Sequence, residues 1–161
     1  METLVPLLLI LTSVCCFAQD LRCISESPYF IPELQANWFK ATEYCNSMGM
    51  RLAVITSEEA NKKAILTIQS ANKFNPTSTE IWIGGSDLAK EGEYIWQPTG
   101  KRFEYNFWAK GEPNNSGGVE NCAQIRYVSA AVGWHWNDKN CDLERYFICE
   151  NAEPKRVVVV F

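Results

Sequence analysis

Residues 112–141 read EPNNSGGVENCAQIRYVSAAVGWHWNDKNC. Two clusters of oxygen-bearing side chains bracket the stretch. Glu112-Pro113-Asn114, followed by Glu120, opens it, and Asn137-Asp138 stands directly after Trp136 near its end. Together they offer the carboxylates Glu112, Glu120 and Asp138 and the amides Asn114 and Asn137. Calcium favours mixed oxygen donors of this kind and takes about six to eight of them. Three carboxylates against a divalent ion leave a site near about −1, which suits moderate affinity in calcium-rich extracellular fluid. If the Glu112–Pro113 bond is cis, a tight turn sets a carboxylate and an amide side by side.

Outward from this stretch the chain divides. Before it, Asn37 to Gly49 reads as a helix: Asn37 can cap it, Trp38, Ala41, Cys45 and Met48 recur at helical spacing, and Gly49 can end it. A second helix is expected from Thr56, which has capping-box spacing to Glu59, with Ala60, Ala64, Ile65 and Ile68 on one face. Leu52 to Ile55 lies between them as a short strand. Later, Ile81-Trp82-Ile83, Tyr94-Ile95-Trp96, Ala123 to Val128, Gly133 to Trp136 and Tyr146 to Cys149 read as short strands. The Gly-, Asn- and Pro-rich run from Gly84 to Cys122 is long for an irregular segment, and a bound metal can order such a run. The pattern predicts an α+β fold with two helices, short antiparallel sheets and a long loop region.

The 161 residues fit one domain, and 47% hydrophobic with 21% charged residues is a globular balance. The apolar run Leu4 to Val14, ending in Cys16-Phe17-Ala18, predicts a signal peptide over 1–18 that is cleaved after Ala18. The run is too short for a membrane anchor, which needs about 20 residues. Residues 19–36 then form an N-terminal segment, 37–150 the domain and 151–161 a solvated tail. Cleavage removes one charge, Glu2, taking the net charge from −4 to −3. Mild acidity without a Lys/Arg run excludes nucleic acid and a membrane surface as partners. It also removes Cys15 and Cys16, leaving Cys23, Cys45, Cys122, Cys141 and Cys149. An export signal with several cysteines implies disulfides, and the odd count leaves one unpaired. A single histidine and no CxxC pair argue against zinc.

The order and spacing of these features resemble the C-type lectin-like domain family. The markers are the Trp38-to-Cys45 helix, Trp82-Ile83-Gly84-Gly85, Glu112-Pro113-Asn114, Glu120-Asn121-Cys122, Trp136-Asn137-Asp138, Cys141 and Cys149. Gly85 departs from the family's usual Leu or similar residue. The resemblance implies disulfides Cys45–Cys149 and Cys122–Cys141. It implies one calcium ion held by Glu112, Asn114, Glu120, Asn137 and Asp138, which bind the sugar as well. Two vicinal hydroxyls would complete the calcium shell while each donates to a carboxylate and accepts from an amide. Glu-Pro-Asn resembles the mannose-type motif, which favours equatorial 3- and 4-hydroxyls; galactose-type members usually carry Gln-Pro-Asp. An auxiliary calcium site would fall on Asp87, Glu91, Asn115 and Asn121. Two of its positions hold Asn where better-equipped members have Asp, so its occupancy stays open.

The expected function is therefore that of a secreted, non-enzymatic, calcium-dependent lectin for mannose-type glycans, with glycans or glycoconjugates, those of microbial surfaces among them, as its partners. The alternative is a protein-interaction module on the same fold. Five of the six tryptophans, Trp82, Trp96, Trp108, Trp134 and Trp136, are expected in the core, because Trp buries so much area. His135 is expected to be structural, as no nucleophile arrangement accompanies it. Cys23 is the leftover thiol and is expected to link two chains in a homodimer, which would add avidity. Asn114-Asn115-Ser116 is a glycosylation sequon, expected to stay unmodified because a glycan there would destroy the calcium site. Lys139 reads as a solvated charge, with a contact to anionic glycan groups as the alternative.

Overall fold

The computed structural model describes residues 27–71, 75 and 79–152. The expected leader over 1–18, Cys23 and residues 153–161 lie outside the described residues. Along the chain run β1 (Tyr29–Phe30), α1 (Trp38–Ser47), β2 (Met50–Leu52), α2 (Glu58–Ser70), β3 (Glu80–Ser86), β4 (Ile95–Trp96), β5 (Lys101–Arg102), β6 (Cys122–Ser129), β7 (Gly133–Lys139), β8 (Tyr146–Phe147) and β9 (Cys149–Asn151). A small antiparallel sheet has the order β1-β9-β2. The larger has the order β5-β4-β3-β6-β7, with β8 parallel to β3. The α+β class is as expected.

Helix α1 starts where the sequence places it. Asn37 accepts from the Lys40 N–H at 2.9 Å, satisfying one of the orphan donors of the first turn. Gly49 just past its end has φ 69°, a conformation that costs glycine nothing. Trp38, Ala41 and Cys45 form the buried face. The Trp38 indole donates to the Ile83 carbonyl at 2.8 Å and fastens the helix to β3.

Helix α2 corrects the sequence expectation by one residue. Ser57, not Thr56, is the cap, accepting from the Ala60 N–H at 3.2 Å. Glu58 and Glu59 then occupy the first turn, where carboxylates favour the positive end of the helix dipole. Ala64 and Ile68 are buried as expected, but the third buried position is Asn61. Its Oδ1 accepts from the Trp136 indole at 2.9 Å, which satisfies both groups in the core.

The strand expected over Leu52 to Ile55 is instead Met50–Leu52. Ala53 leaves the ladder: its N–H donates to Ile148, between β8 and β9, and its carbonyl accepts from Gly84 in β3, each at 2.9 Å. The chain crosses here between the sheets, fully buried from Leu52 to Ile55. At the other end, Asn151 pairs with Met50 in β9 and β1 pairs with the same strand. The fold thus uses part of the segment expected to precede it and the first residue of the expected tail.

Trp82, Trp96 and Trp136 are fully buried and Trp134 is 7% exposed, whereas Trp108 is only partly buried, against the cluster that holds Trp96, Trp134 and Trp136. Trp96 stacks on Phe103 with ring centroids 4.0 Å apart. That ring explains Gly85. A Cβ there would come within 2.9 Å of Phe103 Cε1 and closer still to Cζ, so Phe103 fills the room that a side chain would take. Gly85→Ala is therefore expected to cost about 1–3 kcal/mol through overpacking. Urea unfolding checks it, and an unchanged midpoint would contradict this packing.

Candidate metal centre

The site is built by one hairpin and one long loop. Strands β6 and β7 pair from Cys122↔Lys139 through Ala123↔Asp138 and Gln124↔Asn137. Strand β7 runs three residues beyond its expected end at Trp136, so Asn137 and Asp138 sit on a strand and not in a loop. The disulfide Cys122–Cys141 closes this end of the hairpin, with Cα atoms 5.2 Å apart. Cys45–Cys149 is the other bridge, joining α1 to β9. Both pairings are those the family resemblance implies.

Asp138 is the hub. It is 0% exposed, and its carboxylate accepts from the Asn114 N–H at 3.1 and 3.2 Å and from the Asn115 N–H at 2.7 Å. These charge-assisted bonds dock the loop after Pro113 onto β7. The Glu112–Pro113 bond is cis. Asn115 takes φ 42°, a left-handed conformation that Asn tolerates better than most residues. Glu120 is also buried. Its Oε2 accepts from the Ser116 N–H at 3.2 Å, its Oε1 pairs with the Lys139 ammonium, and its own N–H donates to Asn115 Oδ1 at 3.0 Å. Lys139 is thus a partner within the site and not a free solvated charge.

Glu112 lies against the same hub. Its Oε1 is 3.5 Å from Arg126 Nη2, whereas its Oε2 is buried with no hydrogen-bond partner among the described residues. Burial pushes its carboxyl up, and the neighbouring Asp138 charge adds to the effect. Asn137 is buried, its amide donating to the Asp138 carbonyl, while Asn114 is exposed. Glu112, Glu120 and Asp138 thus lie in or against the docked loop, Asn114 joins them through its backbone N–H, and Asn137 adjoins them on β7.

Three of the auxiliary positions converge on it through side chains. Asp87 is 1% exposed, with Oδ2 accepting from the Gly92 N–H at 2.8 Å and Oδ1 buried without a partner among the described residues. Burial raises its carboxyl, and the Asp138 charge raises it further, against the opposing backbone bonds. The Asn115 amide donates to Glu91 at 2.5 Å. Asn121 joins only through its backbone, accepting from Asp87 N–H at 3.1 Å and donating to the Lys139 carbonyl at 3.2 Å. The Tyr94 hydroxyl is raised first by burial and further by the charges of Asp87, Asp138, Glu91 and Glu120.

Among the described residues, no group of three or more His, Cys, Asp or Glu side chains is disposed to hold a metal by itself. The donor set is mixed, and amides complete what carboxylates begin. It fits a hard, oxygen-seeking cation. Glu112 and Asp87 each present a buried oxygen without a hydrogen-bond partner among the described residues, and their carboxyls are raised first by burial and further by the Asp138 charge, which a cation would offset. It does not fit zinc: all four described cysteines are locked in disulfides, and His135 stacks on Phe107 at 4.6 Å.

The residues unforeseen in the sequence are Arg126, Tyr94 and Asn61. Arg126 and Tyr94 act across loops whose path no local pattern states. Asn61 alone carried a signal, since it falls on the buried face of α2 at helical spacing from Ala64 and Ile68.

Residues 34–151 match the family model described as Lectin C-type domain. The chain is 40% identical over 136 residues to C-type lectin 16 of Aedes aegypti, covering 84% of this chain and 88% of that one. It is 38% identical to Salivary C-type lectin 1 of Aedes albopictus, covering 83% and 88%. Among solved structures, the C-type lectin domain of murine dendritic cell inhibitory receptor 2, in complex with N-glycan, matches with TM-score 0.65 and 30% identity over 78% of this chain and 90% of that one. On this evidence of sequence and fold together, the chain belongs to the C-type lectin domain family.

Proposed function

We propose that the protein is a secreted, non-enzymatic lectin that binds mannose-type glycans through calcium. The observation that supports this is the docking of the Asn114–Asn115 backbone onto buried Asp138, on the strand that also carries Asn137, in the loop that Glu112 and Glu120 flank. Glu112, Asn114, Glu120, Asn137 and Asp138 would hold the ion, which when bound supplies two coordination positions for vicinal hydroxyls. The carboxylates then accept from those hydroxyls and the amides donate to them. The N-glycan on the murine relative supports a glycan ligand, and the salivary relative supports secretion. No described helix is long and apolar enough to cross a membrane. A second ion at Asp87, Glu91, Asn115 and Asn121, dimerisation through Cys23 and recognition of microbial surfaces are further parts of this reading.

The test is a glycan array with and without chelator. Calcium-dependent signal on mannose-type sugars is expected, with Glu112→Gln/Asn114→Asp moving it toward galactose by about tenfold or more, since specificity is a difference of affinities. A folded, calcium-loaded protein without sugar signal would favour a protein-interaction module instead.

Acid is expected to release the ion. Binding needs ionised carboxylates, so affinity falls as pH drops. The Glu112 carboxyl is held above the usual range and takes up its proton at a higher pH than a free carboxyl does. Release at half-saturating calcium is thus expected to begin at a higher pH than an unshifted carboxyl would give. A calcium titration at stepped pH reads this, and a pH-independent affinity would rule it out.

A further inference from the structure

We infer that Lys139 is a built-in competitor for the calcium site and sets how much calcium the domain needs. The inference rests on the calcium reading above. Glu120 has one oxygen committed to the backbone, Oε2 to the Ser116 N–H at 3.2 Å. Its other oxygen, Oε1, is the one open to a cation, and the Lys139 ammonium takes it. Lysine and a divalent ion therefore compete for one atom.

The geometry keeps the competitor in place. Lys139 is the last residue of β7, paired with Cys122, and the Cys122–Cys141 disulfide fixes that strand end. The ammonium is tethered next to Glu120 and cannot diffuse away. Its side chain is 28% exposed while that of Glu120 is 7% exposed, so the lysine has a path to water when displaced and the carboxylate does not. The other loop glutamate differs: Glu112 meets Arg126 only at 3.5 Å and keeps a buried oxygen without a partner among the described residues. Glu120 is thus the carboxylate whose charge is already met, and a calcium ion must break that pair and then sit near a displaced positive charge.

The pair also serves the loop. Glu120 links Asn115, Ser116 and Lys139, so the ammonium ties residues 115–120 to β7. Removing the lysine should therefore act with opposite sign on two properties: calcium binds tighter, and the calcium-free protein is less stable. A residue with only a structural role would weaken both.

The experiment is calorimetric calcium titration and thermal melting, in chelator and in calcium, of the full mature chain and its Lys139→Met, Lys139→Gln and Lys139→Arg variants. Expected are calcium affinity raised about tenfold in Lys139→Met and Lys139→Gln, by loss of a nearby positive charge, and a lower melting temperature in chelator. Lys139→Arg should bind calcium no more tightly than the unaltered protein. Unchanged or weaker calcium binding in both Lys139→Met and Lys139→Gln, with calcium still stabilising the unaltered protein, would overturn the inference alone. Calcium that neither binds nor stabilises the unaltered protein would overturn the calcium reading itself, and this inference with it.

Discussion

Asp138→Asn is expected to abolish calcium-dependent sugar binding, lowering calcium affinity by roughly 100-fold or more, because affinity follows the number of charged ligands. The substitution touches two functions at once. Asp138 is a member of the donor set, and its carboxylate also accepts the backbone N–H groups of Asn114 and Asn115 that dock the loop. An amide keeps one acceptor oxygen and has no charge, so part of the docking survives at a cost of about 1–2 kcal/mol. The fold should persist, since Trp136, two residues before it, stays packed in the core. Calcium titration and a chelator-controlled glycan array would show the effect. Retention of calcium-dependent binding by a folded Asp138→Asn protein would remove the proposed centre.

The double substitution Cys45→Ala/Cys149→Ala is expected to destabilise the domain by about 4–5 kcal/mol, the chain-entropy value for a loop of this size. The two residues are 104 apart in sequence, and both sulfurs lie in a core cluster with Trp38, Leu52, Trp82 and Phe147. Since small domains hold only about 5–15 kcal/mol in all, this is a large part of the total. Opening Cys122–Cys141, 19 residues apart, should cost about 3 kcal/mol and act chiefly on the site, because it frees the hairpin end that carries Asp138 and Lys139. Denaturant unfolding of the double variant reads the first effect. A midpoint equal to that of the unaltered protein would show that α1 is held to β9 by packing alone.

Much of the fold was legible where short-range chemistry decides it. Asn37 announced its helix because an Asn side chain reaches an N–H three residues on, and the runs Ala123 to Val128 and Gly133 to Trp136 announced two short strands. Helix α2 was legible in existence but not in its first residue, since Thr56 and Ser57 both can cap and only packing of Asn61, Ala64 and Ile68 chooses between them. The segment after Leu52 looks like a strand by composition, yet the Ala53 bonds go to Gly84 in β3 and to Ile148 between β8 and β9. No local pattern distinguishes that from a ladder.

The sequence by itself determined the two helices, the strand runs at 123–128 and 133–136, the α+β class and the candidate oxygen donors, because these depend on side-chain type and on contacts within a few residues. Tertiary structure alone decided that Asp138 is buried under the Asn114–Asn115 backbone, that Phe103 fills the space above Gly85 and that Lys139 holds Glu120. Those contacts span 18 to 24 residues, and their energies are set by burial and by distances between charges, which exist only once the loops have folded back on the strands.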